Sequence, residues 1–300
     1  MPSDRVIGVD VGGTKMLAGI VARDGSCDRT IEVPTPTDGE DSFVAALVGL
    51  VDELLDDGVA AIGVGVPMTI DRRTGIALKA NNLPLESLDL VGSLRERFGL
   101  PIGLENDGNA TALAEWRLGA GRGASDLVLL AIGTGVGGGL VLDGRLYRGW
   151  AELGHVVVDA DGPRCQGNCD GRGHLEAVAT GETAERAAEE IWGERDARRL
   201  VESARAGHVE ALAAVRRIGH FLGLAIGSFV NVFVPEVTVV GGGFGAAAWD
   251  LLEEPALAAA RREALSPADA FVRIVPAELG DDAGLVGAGL VGFEALDGER

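Results

Sequence analysis

The sequence predicts a mixed α/β protein, and three observations carry that expectation. Short apolar runs alternate with stretches of helical periodicity, joined by brief links. A unit of apolar strand, glycine turn and apolar strand occurs twice, at residues 6–21 and 127–142. Three hundred residues also suffice for one large domain or two of ordinary size, with ample core.

In order, Val6 to Val21 reads as strand, turn, strand. Asp10 ends the first strand. Gly12, Gly13 and Thr14 form a turn whose amides can face an anion, with a hydroxyl added by Thr14; Gly-Gly is equally an ordinary hairpin signal. The turn is no Walker loop, since Gly-x-x-x-x-Gly-Lys-Ser/Thr before a helix is absent. Asp24 and Gly25 close a hairpin to a strand at 31–33. Residues 40–57 carry apolar positions at helical spacing, a buried strand spans 61–66, and 68–85 reads as a loop. A helix over 87–98 and a strand over 101–104 follow. Glu105-Asn106-Asp107 then marks a strand end opening into a helix, where Asn106 or Asp107 suits the cap. A carboxylate there also stands where α/β enzymes place catalytic groups.

The strand at 127–132 runs into Gly133, Thr134 and Gly135 and a second strand to Leu142, and Asp143-Gly144 turns into a strand reaching Trp150. Two such glycine turns facing each other would grip one polyphosphate. Helices follow at 181–192, 196–206 and 209–232. A strand at 236–240 meets Gly241, Gly242 and Gly243, a junction suited to close approach by a nucleotide. A strand at 271–275 and a helix at 282–295 complete the pattern.

Composition bounds the function. The chain is 47% hydrophobic and 24% charged with a net charge of −20, which argues against non-specific nucleic-acid binding. Lys15 and Lys79 are the only lysines, so Lys15 inside a glycine-rich turn is notable. The most apolar stretch, 218–234, is shorter than a membrane span and reads as a buried helix. Asp4 and Arg5 lead straight into a strand with no secretory signal, and the three cysteines make no disulfide framework, so a cytoplasmic protein with no membrane partner is expected.

Residues 152–176 gather two histidines and two cysteines between the carboxylates of Glu152 and Glu176. His155 is followed by Cys165, Cys169 and His174, a set that suits a closed tetrahedral zinc site. The same spacing also fits a flexible polar loop with two reduced thiols. A zinc would hold Glu152 and Glu176 rigidly beside it, placed to grip the hydroxyls of a polar ligand.

Asp-x-Gly-Gly-Thr-Lys at 10–15, Glu-Asn-Asp-x-Asn-Ala at 105–110, Gly-Thr-Gly-x-Gly-Gly at 133–138, Glu-x-Gly-His at 152–155 and Gly-Gly-Gly at 241–243 resemble, in order and spacing, the ROK family of bacterial sugar kinases and repressors. The resemblance runs from about residue 5 to the C-terminus. It implies the actin-like ATPase fold of sugar kinases, two α/β domains with ATP and sugar in the cleft between them. The expected division is a smaller domain over 1–115, completed by a C-terminal helix at 282–300, and a larger one over 116–281 with a zinc loop at 155–175.

The resemblance further implies ATP-dependent phosphorylation of the 6-hydroxyl of a hexose, with glucose first. Asp107 is similar to the general base. Asn82, Asn106, Glu152, His155 and Glu176 match the sugar-holding groups. Asp10 matches the residue that positions Mg²⁺, and Gly12, Gly13, Thr14, Lys15, Gly133, Thr134 and Gly135 match the phosphate turns. Gly242 and Gly243 match the adenosine side, and His155, Cys165, Cys169 and His174 the structural zinc ligands. Three departures stand out. The family usually has Cys-x-Cys where this chain has Cys165 to Cys169, a third cysteine where it has His174, and Pro-Gly where it has Pro67-Met68. The sugar could therefore be mannose, fructose, allose or N-acetylmannosamine, and polyphosphate could be the donor. A non-catalytic sugar sensor is disfavoured by the intact Asp107 and both Gly-Thr turns. A DNA-binding repressor is disfavoured because the first strand begins too early for a helix-turn-helix domain. Many relatives self-associate, so a homodimer or higher homo-oligomer is expected.

Overall fold

The computed structural model describes residues 5–80 and 83–298 and divides them into two compact units. One comprises residues up to 118 with 148–150 and 282 onward; the other comprises 119–147 and 151–281. Asn81 and Asn82 lie outside the described residues.

The N-terminal unit begins with β1 (Arg5–Val11), β2 (Lys15–Ala22) and β3 (Cys27–Pro34), then α1 (Glu40–Leu54), β4 (Ile62–Val66), β5 (Met68–Ile70), β6 (Ala77–Ala80), β7 (Glu86–Leu88), α2 (Leu90–Phe98), β8 (Ile102–Asn106) and α3 (Asp107–Leu118). Its main sheet has the order β3-β2-β1-β4-β8, antiparallel across β3, β2 and β1 and parallel across β1, β4 and β8. Parallel strands buried on both faces read as continuous apolar runs, as β4 does. Register puts Asp10 of β1 level with Gly65 of β4, and Gly65 level with Glu105 of β8.

The stretch read as a loop over 68–85 instead holds a second, three-stranded sheet of β5, β6 and β7. Its strands are only three or four residues long, too short for periodicity to register. They are held by burial of Met68, Ile70, Ala77 and Ala80 against the core that also contains Phe43, Leu47 and Ile62. The helix expected at 87–98 starts at Leu90, because the Asp89 carboxylate caps Gly92 N.

The second unit repeats the plan. Its elements are β9 (Leu127–Ile132), β10 (Val136–Leu142), β11 (Arg145–Leu146), α4 (Leu175–Val178), α5 (Gly181–Trp192), α6 (Ala197–Arg205), α7 (Val209–Phe233), β12 (Val237–Gly241), α8 (Gly243–Ala247), α9 (Trp249–Glu263) and β13 (Ile274–Pro276). The sheet order is β11-β10-β9-β12-β13, again antiparallel on one side of the hairpin's first strand and parallel on the other. The apolar stretch at 218–234 is largely buried in α7 as far as Val230, where the helix packs closely on α9, whereas Val232 and Val234 at its end are exposed.

Two expected strands are cut short. The strand expected to reach Trp150 ends at Leu146, because the carbonyls of Arg148 and Gly149 accept bonds from the Arg72 and Asn109 side chains of the N-terminal unit. The strand expected at 271–275 begins only at Ile274, after a turn of 3-10 helix at Ala268–Phe271 held by Ala268 N to Leu265 O and Ala270 N to Pro267 O.

The last element, α10 (Ala283–Gly298), returns to the N-terminal unit and covers β1, β4 and β8. Close approach is possible because glycines meet backbone there. A Cβ on Gly8 would lie 2.7 Å from Leu285 O, and one on Gly63 would overlap Ala288 O.

Candidate active site

In the N-terminal unit the ends of the parallel strands collect the carboxylates. Asp107 opens α3 one residue after β8, and its Oδ1 accepts from Gly108 N at 2.8 Å. Burial raises its pKa above the ordinary carboxylate range, against the pull of that amide. Asp10 is raised to about 7, first by burial and then by the Asp107 charge, with Lys15 drawing it down. Gly65 keeps the space between them open: a Cβ there would sit 3.7 Å from Asp107 Cα and 3.9 Å from Asp10 Oδ1. Two desolvated carboxylates side by side can accept a proton near neutral pH or share a cation.

Asn106 is the cap of α3. Its Oδ1 accepts from Gly108 N at 3.0 Å and Asn109 N at 3.2 Å, and its Nδ2 donates to Met68 O at 3.4 Å. Behind it lies Glu105, fully buried and neutralised by two arginines that sequence reasoning missed. Arg72 pairs with Glu105 through both guanidinium nitrogens, and Arg148 Nη1 donates to Glu105 Oε2 at 3.1 Å. Glu105 Oε1 also accepts from Asn106 N at 2.9 Å and Asn109 Nδ2 at 3.1 Å. This network fixes the junction that presents Asp107.

The first glycine turn follows β1. Gly12 N donates to Lys15 O at 2.8 Å, Thr35 N donates to Thr14 O at 2.9 Å, and the Thr35 hydroxyl donates to Gly12 O at 2.8 Å. Gly13 and Thr14 are exposed. Lys15 Nζ donates to Glu32 Oε2 at 2.6 Å, with both side chains more than half exposed.

In the second unit the matching turn is braced from a distance. Gly133 N donates to Gly135 O at 2.9 Å, and Gly133 O accepts from Gly181 N, the first residue of α5, at 2.8 Å. Val136 N donates to Glu176 Oε2 at 2.9 Å, and a Cβ on Gly135 would lie 2.6 Å from that oxygen. Gly242 has φ +79° and lies so close to Ile132 that a Cβ would fall 2.6 Å from its backbone nitrogen. Gly133, Thr134, Gly181, Gly243 and Phe244 share one cavity of about 740 Å³. That volume is in the range of small-molecule sites.

The metal loop gathers its four candidate ligands. His155 Nδ1 and His174 Nδ1 are 3.3 Å apart, Cys165 Sγ is 3.7 Å from His155 Nδ1, and Cys169 Sγ is 3.5 Å from His174 Nδ1. All four ligand atoms lie within 4.8 Å of one another. A tetrahedral zinc requires N···N edges of about 3.3 Å and N···S edges of about 3.6 Å. The donor set fits. Burial, and then the neighbouring His155, lower the His174 pKa and favour the neutral ring that ligates metal. Burial pushes the Cys165 thiol up to about 11, a shift that a bound cation reverses. Glu152 Oε2 lies 3.9 Å from His155 Nε2.

Each unit therefore assembles part of the expected set. Asp10, Asn106 and Asp107 converge at one strand row, and Gly133, Thr134, Gly135 and Glu176 form one bonded group whose turn shares the cavity with Gly243. Asn82 falls outside the described residues. Missed were Arg72, Glu105 and Arg148, together with Thr35, Gln166 and Thr180. Apart from Glu105, which directly precedes Asn106-Asp107, no motif flags them.

The profile of the ROK family matches residues 6–292. A glucokinase of Thermotoga maritima is 34% identical over 99% of this chain and 100% of its own length. An N-acetylmannosamine kinase of Citrobacter koseri is 32% identical over 95% of this chain and 97% of its own. The crystal structure of a ROK family glucokinase from Streptomyces griseus in complex with glucose and AMPPNP superposes with a TM-score of 0.84 at 31% identity, covering 97% of this chain and 99% of that one.

Proposed function

This chain belongs to the ROK family, and on that premise we propose that it is an ATP-dependent glucokinase, transferring the γ-phosphoryl group to the 6-hydroxyl of glucose. The fold is the actin-like ATPase fold of that family's kinases. The observation that carries the reading is Asp107, a desolvated carboxylate at the end of the parallel strands with its pKa raised toward the working range of a general base.

Asp107 takes the proton from the attacking hydroxyl. Asn106, Glu152, His155 and Glu176 hold the sugar, with Asn82 assigned to the same task. Gly12, Gly13, Thr14 and Lys15 in one unit, and Gly133, Thr134 and Gly135 in the other, hold phosphates through backbone amides and hydroxyls. Gly242 and Gly243 lie against the adenosine. Asp10 would hold Mg²⁺ through its waters, and that ion when bound neutralises charge on the transferring phosphoryl group. His155, Cys165, Cys169 and His174 would hold a structural zinc. The tetrahedral spacing of their donor atoms supports this. Among the described residues no helix is long and apolar enough to cross a membrane.

The Citrobacter relative favours one second reading, N-acetylmannosamine as the acceptor. An ADP-release assay with Mg-ATP against glucose, mannose, fructose and N-acetylmannosamine decides between them. Turnover highest on glucose is the expected result. Preference for N-acetylmannosamine moves the substrate and keeps the mechanism, and silence on every sugar with zinc present overturns the assignment.

A further inference from the structure

Gln166 lies between the two cysteines of the metal loop, in the segment from Cys165 to Cys169. Its Nε2 donates to Glu176 O at 2.8 Å and to the Thr180 hydroxyl at 3.1 Å. These two acceptors lead to opposite ends of the second glycine turn. The Glu176 side chain takes Val136 N, just after the turn, and fills the space beside Gly135. Thr180 is fully buried and caps α5, accepting from Thr183 N at 3.2 Å. The next residue, Gly181, donates its N–H to Gly133 O at the start of the turn. Every link lies within the second unit.

We propose that Gln166 is a positioning residue that ties the metal loop to the donor phosphate turn, so that an ordered metal loop sets the affinity for the nucleotide. The proposal rests on the kinase reading above. Amides that face a phosphate are effective only when already aimed, since ordering them on binding costs affinity. The backbone from 133 to 136 is bonded within itself by the single contact of Gly133 N with Gly135 O. Beyond the pairing of Val136 with Ile132 where the hairpin begins, its order comes from Glu176 and Gly181, which Gln166 holds together. A metal held by the four ligands would fix Cys165 and Cys169 on either side of Gln166. Loosening that segment releases the amide that bridges Glu176 and Thr180, and the turn loses both braces.

The test uses the full chain at saturating zinc, with Gln166→Ala and the isosteric Gln166→Glu, which keeps the shape but cannot donate to either acceptor. Bound zinc is counted for each protein, and folding is checked by melting temperature. AMPPNP affinity is measured by calorimetry with Mg²⁺, and amide exchange is followed across 133–136. Both variants are expected to retain zinc, bind AMPPNP about tenfold more weakly, exchange faster over 133–136, and show a raised KM for ATP with kcat within about twofold of the parent. Wild type stripped by a zinc-selective chelator should show the same exchange change. AMPPNP affinity within twofold of wild type in both zinc-loaded variants overturns the proposal. So does unchanged exchange over 133–136 in the variants or the stripped protein. If wild type itself binds no AMPPNP, the kinase reading fails, and the exchange measurement still decides whether Gln166 orders the turn.

Discussion

The turns at Gly12–Thr14 and Gly133–Gly135 are both built of two glycines and a threonine and both stand between two antiparallel strands, yet they are held differently. The first is closed by its own hairpin and by Thr35, the residue after β3. The second is closed by its hairpin as well, and is further braced by Gly181 at the start of a helix and by the carboxylate of Glu176. The first stands in the unit that carries Asp10 and Asp107, and the second in the unit that carries the metal loop. Turns of the same composition can therefore differ in what keeps them ordered. In one, order is a local property of the sheet. In the other, a helix N-terminus and a carboxylate forty or more residues away are added to the hairpin.

The largest expected effect separates chemistry from donor binding. Asp107→Asn should lower kcat by about 10²–10⁴-fold, the usual contribution of a general base. AMPPNP affinity, which this reading assigns to the glycine turns and Gly242–Gly243 and not to Asp107, should stay within about threefold. A comparable loss of AMPPNP affinity would break the division of labour.

A second test compares the turns in ligand-free protein. Gly135→Ala drives a methyl group into the Glu176 carboxylate, whereas a Cβ on Gly13 meets nothing within 4 Å. Gly135→Ala should lower stability by roughly 1–3 kcal/mol, as overpacking does. Gly13→Ala should leave the melting temperature unchanged. Equal effects would mean that the two turns are braced alike after all.

Acidity gives a third, smaller signal confined to the first unit. The folded-state pKa of Asp10 is raised from 3.8 to about 7, so its protonated form is favoured in the folded state. Below pH 3.8 the residue is neutral folded and unfolded, and its ionisation costs stability increasingly as pH rises toward 7. Asp10→Asn should therefore stabilise the ligand-free protein at pH 8 by roughly 1–3 kcal/mol. The gain should vanish near pH 4, as read by thermal melts across pH. The same burial acts on Asp107, so kcat/KM should fall on acidification at a pH above the ordinary carboxylate range. A flat melt difference would show that Asp10 is not held in a desolvated place.

The smallest effect falls on Lys15. Its pair with Glu32 is exposed on both sides, so Lys15→Met should shift ligand-free stability by no more than about 1 kcal/mol. Any larger loss would mean that the first turn is less self-sufficient than its backbone bonds imply.

The sequence made the repeated strand–turn–strand units, the β8–α3 junction and the Cys/His cluster legible because each is local. Alternation, glycine and a capping residue lie side by side in the chain. The sheet of β5, β6 and β7 was not legible, since its pairing is stabilised by burial of Met68 and Ile70 against distant helices. Nor was the Glu105 network. Nothing near Arg72 or Arg148 announces that both will neutralise one buried carboxylate, and the bonds span 33 and 43 residues. The same reason hid Thr35, Gln166 and Thr180. Their chemistry is ordinary, and only the fold gives each its distant partner.

The placement of α10 has a consequence for synthesis. It supplies Leu285, Phe293 and Leu296 to the small core with Val6, Val21 and Ala61, while every residue of the second unit precedes it. On a ribosome the first strands emerge early and wait, with one face of their sheet uncovered, until the final helix is released. The middle of the chain has all its own partners by then. Although domains usually fold in the order in which they are made, here the second unit should finish first. A nascent chain stalled after residue 281 should accordingly protect the second unit from protease while leaving β1 and β4 open to cleavage.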